Sequence, residues 1–126
     1  MNQKEKYKNL FSFSKNEISA FFKDALRVYR SPDLDLLCKP AALSHGRFLP
    51  LTPRRIGNAP KRNKIRRQLK AIFYEQNLSS LGIDCLAILK KEILTHSFDD
   101  LQALLLFSLK KAENRLKKQT NSNETS

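Results

Sequence analysis

The residues of this sequence with the clearest chemical potential are the cations of one short segment, GNAPKRNKIRRQLKAIF at positions 57–73. This segment lies within an acid-free stretch that runs from Cys38 to Tyr74 and also contains Arg47. On a helix, like charges without acidic partners repel one another by some tenths of a kcal/mol per pair. The pattern therefore favours binding to an external polyanion. The side chains of the segment that could contact it are Lys61, Arg62, Asn63, Lys64, Arg66, Arg67 and Lys70.

The net charge narrows the class of partner. The 126-residue chain carries a formal charge of +12, which suits nucleic acid, an anionic membrane surface or an acidic protein. Arginine and asparagine offer directed hydrogen-bond donors that a membrane surface does not require. Aromatic residues precede the basic segment and a predicted sheet follows it, an arrangement that favours single-stranded RNA. A recognition helix in a DNA major groove remains the competing geometry.

The sequence contains no recognisable catalytic motif. His45 and His96 lie far apart, and neither belongs to a nucleophile or metal-ligand motif. Cys38 and Cys85 occur singly within apolar runs, so we expect buried, reduced thiols. The sequence therefore predicts no catalytic residue and no metal ligand in the protein. If a reaction takes place, another molecule supplies its reactive groups.

The first strongly amphipathic helix is predicted by a capping box, in which Ser14 and Glu17 exchange hydrogen bonds with the backbone. The apolar residues that follow at helical spacing are Ile18, Phe21, Phe22 and Ala25. The end of this helix is open on pattern alone. Pro32 disfavours helical geometry at Ser31, and residues 26–30 could already be extended.

Three segments are predicted to be strands. Residues 34–39 alternate in polarity and then become apolar. Residues 47–52 are a second extended candidate, where Pro50 indicates an edge position or a bulge because proline cannot donate to a ladder. Residues 83–89 form an apolar run interrupted only by Asp84, which is typical of a buried strand.

The basic segment is predicted to be a helix with Asn58 as its N-cap and Pro60 in its first turn. Its core stripe would comprise Ile65, Leu69, Ile72 and Phe73. At about 100° per residue, the opposite face and its flanks hold Asn63, Lys64, Arg66, Arg67, Lys70 and Tyr74. Ser97 and Asp100 would cap a final amphipathic helix. These elements predict an α+β fold in which helices cover a small sheet.

The length of the chain suits one domain with a single modest core. We expect a basic flexible arm over residues 1–12, one domain over residues 13–117 and a disordered polar tail over residues 118–126. No apolar run approaches the roughly 18 residues of a membrane span, and the polar start lacks the apolar core of a signal peptide. These features predict a cytoplasmic protein with no membrane partner.

The basic segment resembles the signature of the bacterial ribonuclease P protein subunit, written K-x-G-N-A, then R-N-R, then K-R and a further basic residue. The corresponding positions here, with lysine replacing the second arginine of R-N-R, are Gly57, Asn58, Ala59, Arg62, Asn63, Lys64, Arg66, Arg67 and Lys70. The resemblance extends over residues 14–109 in the order of elements and in Asp84 at the start of an apolar strand. Two features depart from the family pattern. Ile18 replaces the first of two phenylalanines, and Pro50 and Pro53 interrupt the strand before the motif.

The resemblance implies a fold. It is α+β, with a small mixed sheet covered by helices in the order α-β-β-β-α-β-α and a left-handed βαβ crossover around the basic helix (ribosomal protein S5 domain 2-like). By this pattern the first helix ends near Asp24 and residues 26–30 form a short strand.

The resemblance also implies a function. The family's protein, one per RNA, assists a catalytic RNA in removing the 5′ leader of precursor tRNA, an endonucleolytic hydrolysis that uses Mg²⁺ held mainly by the RNA. The RNA contacts would be Arg62, Asn63, Lys64, Arg66, Arg67 and Lys70. A cleft beside the first helix would hold the leader through Phe22, Lys23, Arg54 and Arg55. A generic ribosomal or chaperone-like RNA-binding protein and a DNA-binding regulator remain alternatives.

Overall fold

The structure is a computed structural model that describes residues 3–125, with side chains described through residue 118. Its helices are α1 (Gln3–Asn9), α2 (Lys15–Asp24), α3 (Ala59–Glu75) and α4 (Phe98–Thr125). Its strands are β1 (Leu26–Arg30), β2 (Leu34–Pro40), β3 (Phe48–Leu51) and β4 (Ile83–Leu89). Short 3₁₀ turns occur at Arg54–Ile56, Leu78–Leu81 and Lys91–Thr95. The α+β class is confirmed, as is the implied order of elements from α2 onward.

The sheet has the strand order β1-β2-β4-β3. The first two pairings are antiparallel, whereas β3 pairs in parallel with β4. Because α3 connects these two parallel strands, they form the expected βαβ unit, and its left-handed sense stays a prediction from the resemblance. β3 lies at the edge of the sheet, which tolerates the missing N–H of Pro50. The edge position predicted from this proline is confirmed.

The two faces of the sheet carry different helices. α3 and α4 pack on one face, where the main core includes Leu36 of β2 and Cys85 of β4. α2 packs on the other face, where Phe21 is fully buried against Leu37 and Leu86. Fully burying a large apolar side chain contributes roughly 1.5–3 kcal/mol. The basic helix is therefore fixed to one face and α2 to the opposite face.

The predicted helix caps are confirmed. Ser14 Oγ accepts a hydrogen bond from the Glu17 N–H at 3.1 Å, and a Glu17 carboxylate oxygen accepts one from the Ser14 N–H at 3.0 Å. At the start of α3, Asn58 Oδ1 accepts from the Lys61 N–H at 3.0 Å. Ser97 caps α4 in the same way. Each such cap contributes about 1 kcal/mol.

The N-terminal segment differs from the flexible arm that the sequence predicts. Residues 3–9 form α1, and the Tyr7 ring contacts the Tyr74 ring of α3 edge to face, with 5.3 Å between centroids. Phe11 contacts Phe73 in the same manner at 5.9 Å. Aromatic pairs of this kind contribute about 0.5–1.5 kcal/mol beyond their buried area. These aromatic contacts therefore order a segment that its lysine-rich composition had suggested to be flexible.

The C-terminal helix also exceeds its predicted length. α4 remains helical to Thr125, through most of the segment predicted to be a disordered tail. Its apolar stripe, which includes Leu105 and Ala112, is buried in the main core. The domain boundaries at residues 13 and 117 stay predictions. No helix within residues 3–125 is long and apolar enough to cross a lipid bilayer.

The two cysteines lie opposite each other on neighbouring strands. Cys38 of β2 pairs in register with Cys85 of β4, and both are free and buried. Burial raises the pKa of the Cys38 thiol to about 12 and raises the pKa of Cys85 well above its ordinary value. The thiolate is the reactive form of cysteine, so both residues act as core packing. The prediction of buried, reduced thiols is confirmed.

Candidate nucleic-acid interface

α3 is anchored by an apolar stripe and presents its cations on the remaining surface. The predicted core stripe is confirmed, because the buried residues of this helix are Ile65, Leu69, Ile72 and Phe73. The exposed residues around it include Lys61, Asn63, Lys64, Arg67 and Tyr74, and the half-buried ones include Arg62, Arg66 and Lys70. One rigid helix therefore positions six cations relative to one another.

One side of α3 forms a shallow groove of about 640 Å³, which we call the ridge groove. Its lining residues are Ala59, Pro60, Asn63, Arg66, Arg67 and Lys70. The Arg66 guanidinium donates a hydrogen bond to the side-chain oxygen of Asn63, and this bond orients the guanidinium plane. Within the described side chains, the three cations of this groove have no salt-bridge partner. Arginine side chains free of acidic partners suit bidentate binding of phosphate.

Lys70 is positioned by the N-terminal segment at one end of the ridge groove. Its Nζ lies 5.5 Å from the centroid of the Phe11 ring. Burial lowers the pKa of Lys70, and the neighbouring Arg66 cation lowers it further. An approaching phosphate would favour the charged form of Lys70 and would offset both effects. The docking of the N-terminal segment is therefore coupled to the environment of a predicted RNA contact.

Arg62 has a different position from the other motif residues. Its side chain is half-buried, and its Nε donates to the Gly57 carbonyl at 3.1 Å. This bond ties the first turn of α3 to the residue before its N-cap. Arg62 is not among the residues that line the ridge groove. Its guanidinium stabilises the start of the helix.

Lys64 lies on the flank of α3 that faces the 3₁₀ turn Lys91–Thr95. Together with Lys61 and Arg55, it lines a second cavity beside the 3₁₀ turn Lys91–Thr95. The cations of the motif are therefore divided between two surfaces.

The four candidates for the leader cleft occupy two places. Phe22 and Lys23 are exposed on α2, where 51% of Phe22 is accessible to solvent. Arg54 and Arg55 are exposed in the 3₁₀ turn after β3. The structure groups Arg55 with the cations of α3 rather than with Phe22.

The sheet surface beside α2 includes apolar residues that were not predicted as site residues. Leu49 and Leu51 of β3 and Ile88 of β4 are half-buried and pack against the cluster around Phe21. Ile18, where the sequence departs from the family pattern, packs into the same cluster. The alternation in FLPL could have indicated this surface, because residues two apart on a strand share a face.

Arg47 is a buried residue, although its place in the acid-free stretch suggested a surface cation. It is 4% exposed, and its guanidinium lies 2.9 Å from Asp84 Oδ2 and 2.6 Å from Glu17 Oε2. It also donates to the Ser12 carbonyl at 3.0 Å and lies 4.2 Å from the centroid of the Phe13 ring. Asp84, which is fully buried, accepts a further bond from the Arg47 backbone N–H. This network connects α2 and the segment before it to β3 and β4.

The ion pair between Glu17 and Arg47 predicts a dependence of stability on pH. The hydrogen bond from Arg47, followed by that from the Ser14 backbone, lowers the pKa of Glu17 from 4.5 to about 2. As the pH falls from 4.5 towards 2, Glu17 takes up a proton in the unfolded chain before it does so in the folded chain. The stability that the ion pair contributes above pH 4.5 is therefore lost over this range. We expect Glu17→Gln to show a smaller loss over this range in urea titrations at successive pH values. Because 39% of the Glu17 side chain is exposed, solvent screens the pair and the difference should be modest. Identical pH profiles would show that the pair does not form.

The histidines do not form a recognisable catalytic arrangement. His96 Nε2 lies 2.8 Å from Asp33 Oδ1, and His45 is half-buried in the loop before β3. Within the described residues, no group of three His, Cys, Asp or Glu side chains converges to hold a metal ion.

Comparison with known proteins gives a family match and a shared fold. The Ribonuclease P family model matches residues 7–113. The solved RNase P protein of Staphylococcus aureus is similar with a TM-score of 0.73 and 19% identity, covering 82% of this chain and 94% of that chain. The RNase P protein from Thermotoga maritima is similar with a TM-score of 0.70 and 20% identity, covering 80% of this chain and 96% of that chain. No curated protein matched the chain. At these identities the structural likeness shows the fold, while the family match spans most of the sequence.

Proposed function

Because this chain belongs to the bacterial ribonuclease P protein family, we propose that it binds the RNA subunit of that enzyme and the 5′ leader of precursor tRNA. The family makes it a protein component of the ribonuclease P holoenzyme, which acts in tRNA processing. In the proposed mechanism one copy binds one RNA in the cytoplasm. The RNA hydrolyses the phosphodiester bond that releases the leader and leaves the mature 5′ end of the tRNA.

The observation that carries this proposal is the ridge groove. Arg66, Arg67 and Lys70 line one surface of a rigid helix without acidic partners among the described side chains. RNA phosphates would supply the missing countercharge, and Asn63 would keep Arg66 in position for a bidentate contact. Each neutralised phosphate releases condensed counterions, so the protein would stabilise the folded RNA at a lower magnesium concentration.

The motif residues outside the ridge groove take separate roles in this proposal. Arg62 holds the turn from which α3 begins, through its bond to the Gly57 carbonyl. It therefore acts on RNA binding by positioning the helix. Lys64 contacts RNA from the flank of α3 beside the 3₁₀ turn Lys91–Thr95.

The leader is proposed to lie on the side of the sheet that carries α2. Phe22 offers an exposed ring and Lys23 a cation on this helix. The helix packs on the sheet face where Leu49 and Leu51 of β3 are half-buried against Phe21. Unpaired bases stack on aromatic and apolar surfaces while nearby cations hold the phosphates. Arg54, in the 3₁₀ turn after β3, would contact the leader backbone. Arg55 would do so only where the leader turns towards α3.

Magnesium enters the proposal through the RNA. Following the family resemblance, we assign Mg²⁺ mainly to the RNA subunit. The protein contributes cations, hydrogen-bond donors and apolar surface. This division leaves phosphodiester hydrolysis to the RNA.

Phosphate contacts in the ridge groove predict that the affinity for RNA depends on salt concentration. We expect Arg67→Ala to reduce the slope of log K against log salt by about one unit, because one phosphate contact is lost. Binding of the full chain to its ribonuclease P RNA would be measured at several salt concentrations. Lys110→Ala is the matched control, since Lys110 is a 71% exposed cation of α4 outside the ridge groove. An unchanged slope for Arg67→Ala would remove this residue from the interface.

A further inference from the structure

A second cavity, of about 880 Å³, lies on the side of α3 away from the ridge groove, and we call it the turn cavity. It is bounded by the 3₁₀ turn Arg54–Ile56, the first half of α3 and the 3₁₀ turn Lys91–Thr95 with the residues that follow it. Its charged lining residues are Arg55, Lys61, Lys64, Lys91, Glu92 and His96.

The turn cavity is strongly cationic. Four of its residues are Lys or Arg, and the only lining acid is Glu92. His96 is already bonded to Asp33. None of the four cations forms a salt bridge with any side chain that the structure describes. A solvated surface usually mixes both signs of charge, so unpaired cations that converge from three elements indicate an anionic ligand.

The fold holds these cations in a defined arrangement. Leu94 packs closely against Gly57, since a Cβ added to this glycine would lie 2.8 Å from Leu94 Cδ1. Ile56 and Ile93 are buried in the main core. The two 3₁₀ turns therefore keep a fixed separation, and this separation sets the width of the cavity.

An exposed aromatic ring lies beside the cations. Phe98, at the start of α4, lines the turn cavity and is 37% exposed. Cations next to an exposed ring are the combination that holds single-stranded nucleic acid, with phosphates on the cations and a base on the ring. An inorganic anion would not require the ring, so the pair of features favours a nucleotide segment.

The two sides of α3 are too far apart to contact one phosphate. At about 100° per residue, Lys61 lies roughly 160° around the helix from the centre of the ridge groove. Lys64 lies roughly 100° from that centre, on the flank between the two sides. A helix with its side chains is about 10 Å across, whereas a hydrogen bond spans about 3 Å. A phosphate in the ridge groove is therefore out of reach of Lys61.

The geometry points to the turn cavity as a second RNA-binding site, which takes a single-stranded segment distinct from the RNA in the ridge groove. α3 is then held between two stretches of RNA. Lys61 and Lys91 contact phosphates of the second stretch, and Phe98 stacks on one of its bases. This inference rests on the proposed function and adds a site to it.

The test compares paired substitutions on the two sides of α3 in the full chain. Binding to the ribonuclease P RNA is measured against salt for Lys61→Gln with Lys91→Gln, and for Arg66→Gln with Arg67→Gln. Each pair is expected to reduce the salt slope by about two units. Lys110→Gln with Lys117→Gln, which changes two exposed cations of α4, is the matched control and should keep the wild-type slope. Thermal unfolding confirms that each variant folds.

Two further measurements locate the second segment. A photo-crosslinker at position 91 and another at position 67 should attach to different stretches of the RNA. Phe98→Leu should weaken binding about tenfold without changing the salt slope, because stacking on the ring involves no counterion release. Crosslinks to a single shared stretch would overturn the second site.

The outcomes separate this inference from the proposed function. If the ridge pair reduces the slope and the Lys61 and Lys91 pair does not, the turn cavity is no RNA site and the proposed function stands. If neither pair reduces the slope, both proposals fail.

Discussion

Asp84→Ala is expected to lower the free energy of unfolding by about 3–5 kcal/mol, the largest effect predicted for this protein. The substitution leaves the Arg47 guanidinium, which is 4% exposed, without its buried partner. It also removes the acceptor for the backbone N–H groups of Arg47 and Ala42. Domains of this size are stable by only about 5–15 kcal/mol, so the variant should be marginally folded. Urea unfolding followed by circular dichroism measures the change.

The control for this prediction is a carboxylate outside the network. Asp24→Ala changes an exposed residue at the end of α2 and should alter stability by no more than about 0.5 kcal/mol. A similarly small effect of Asp84→Ala would mean that the network between α2 and the sheet does not hold the fold together.

Gly46→Ala is expected to cost about 3 kcal/mol of stability, because the position has no room for a Cβ. The added atom would lie 2.9 Å from the Ile83 backbone nitrogen and 3.1 Å from its carbonyl carbon. These atoms belong to β4, a central strand paired on both sides, and cannot shift without breaking the ladder. The midpoint of urea unfolding measures the loss.

The comparison for Gly46 is a second glycine with a different constraint. A Cβ on Gly82 would meet nothing within 4 Å, but its φ of 69° lies in the left-handed region. Gly82→Ala should therefore cost only about 1–2 kcal/mol, from backbone strain alone. Equal losses at the two positions would contradict the close approach of Gly46 to β4.

Local signals account for the elements that the sequence predicted. A capping side chain bonds to a backbone N–H within the first helical turn, so Ser14 and Asn58 indicated where α2 and α3 begin. The apolar run at residues 83–89 indicated a buried strand, and Pro50 indicated the sheet edge. Each of these signals depends on neighbours in the chain and not on a distant partner.

Long-range contacts account for what the sequence did not predict. The burial of Arg47 depends on Asp84, 37 positions away. The order of α1 depends on the contact between Tyr7 and Tyr74. Neither partner can be chosen from spacing along the chain.

The division of the basic motif also required the three-dimensional structure. A helical projection separates the flanks of α3 but does not show what lies beside each one. The 3₁₀ turn Lys91–Thr95 packs beside the flank of Lys64, whereas the N-terminal segment lies beside Lys70. The motif therefore identified the cations but not the two surfaces that they form.

The measurement that most directly tests the central claim is cleavage of a 5′-extended precursor tRNA at low magnesium. The ribonuclease P RNA from the same source would be present or absent, each time with and without this protein. We predict that cleavage at the mature 5′ end requires the RNA and is strongly enhanced by the protein. Binding of the protein to the RNA without enhanced cleavage would contradict the account and would identify a generic RNA-binding protein instead.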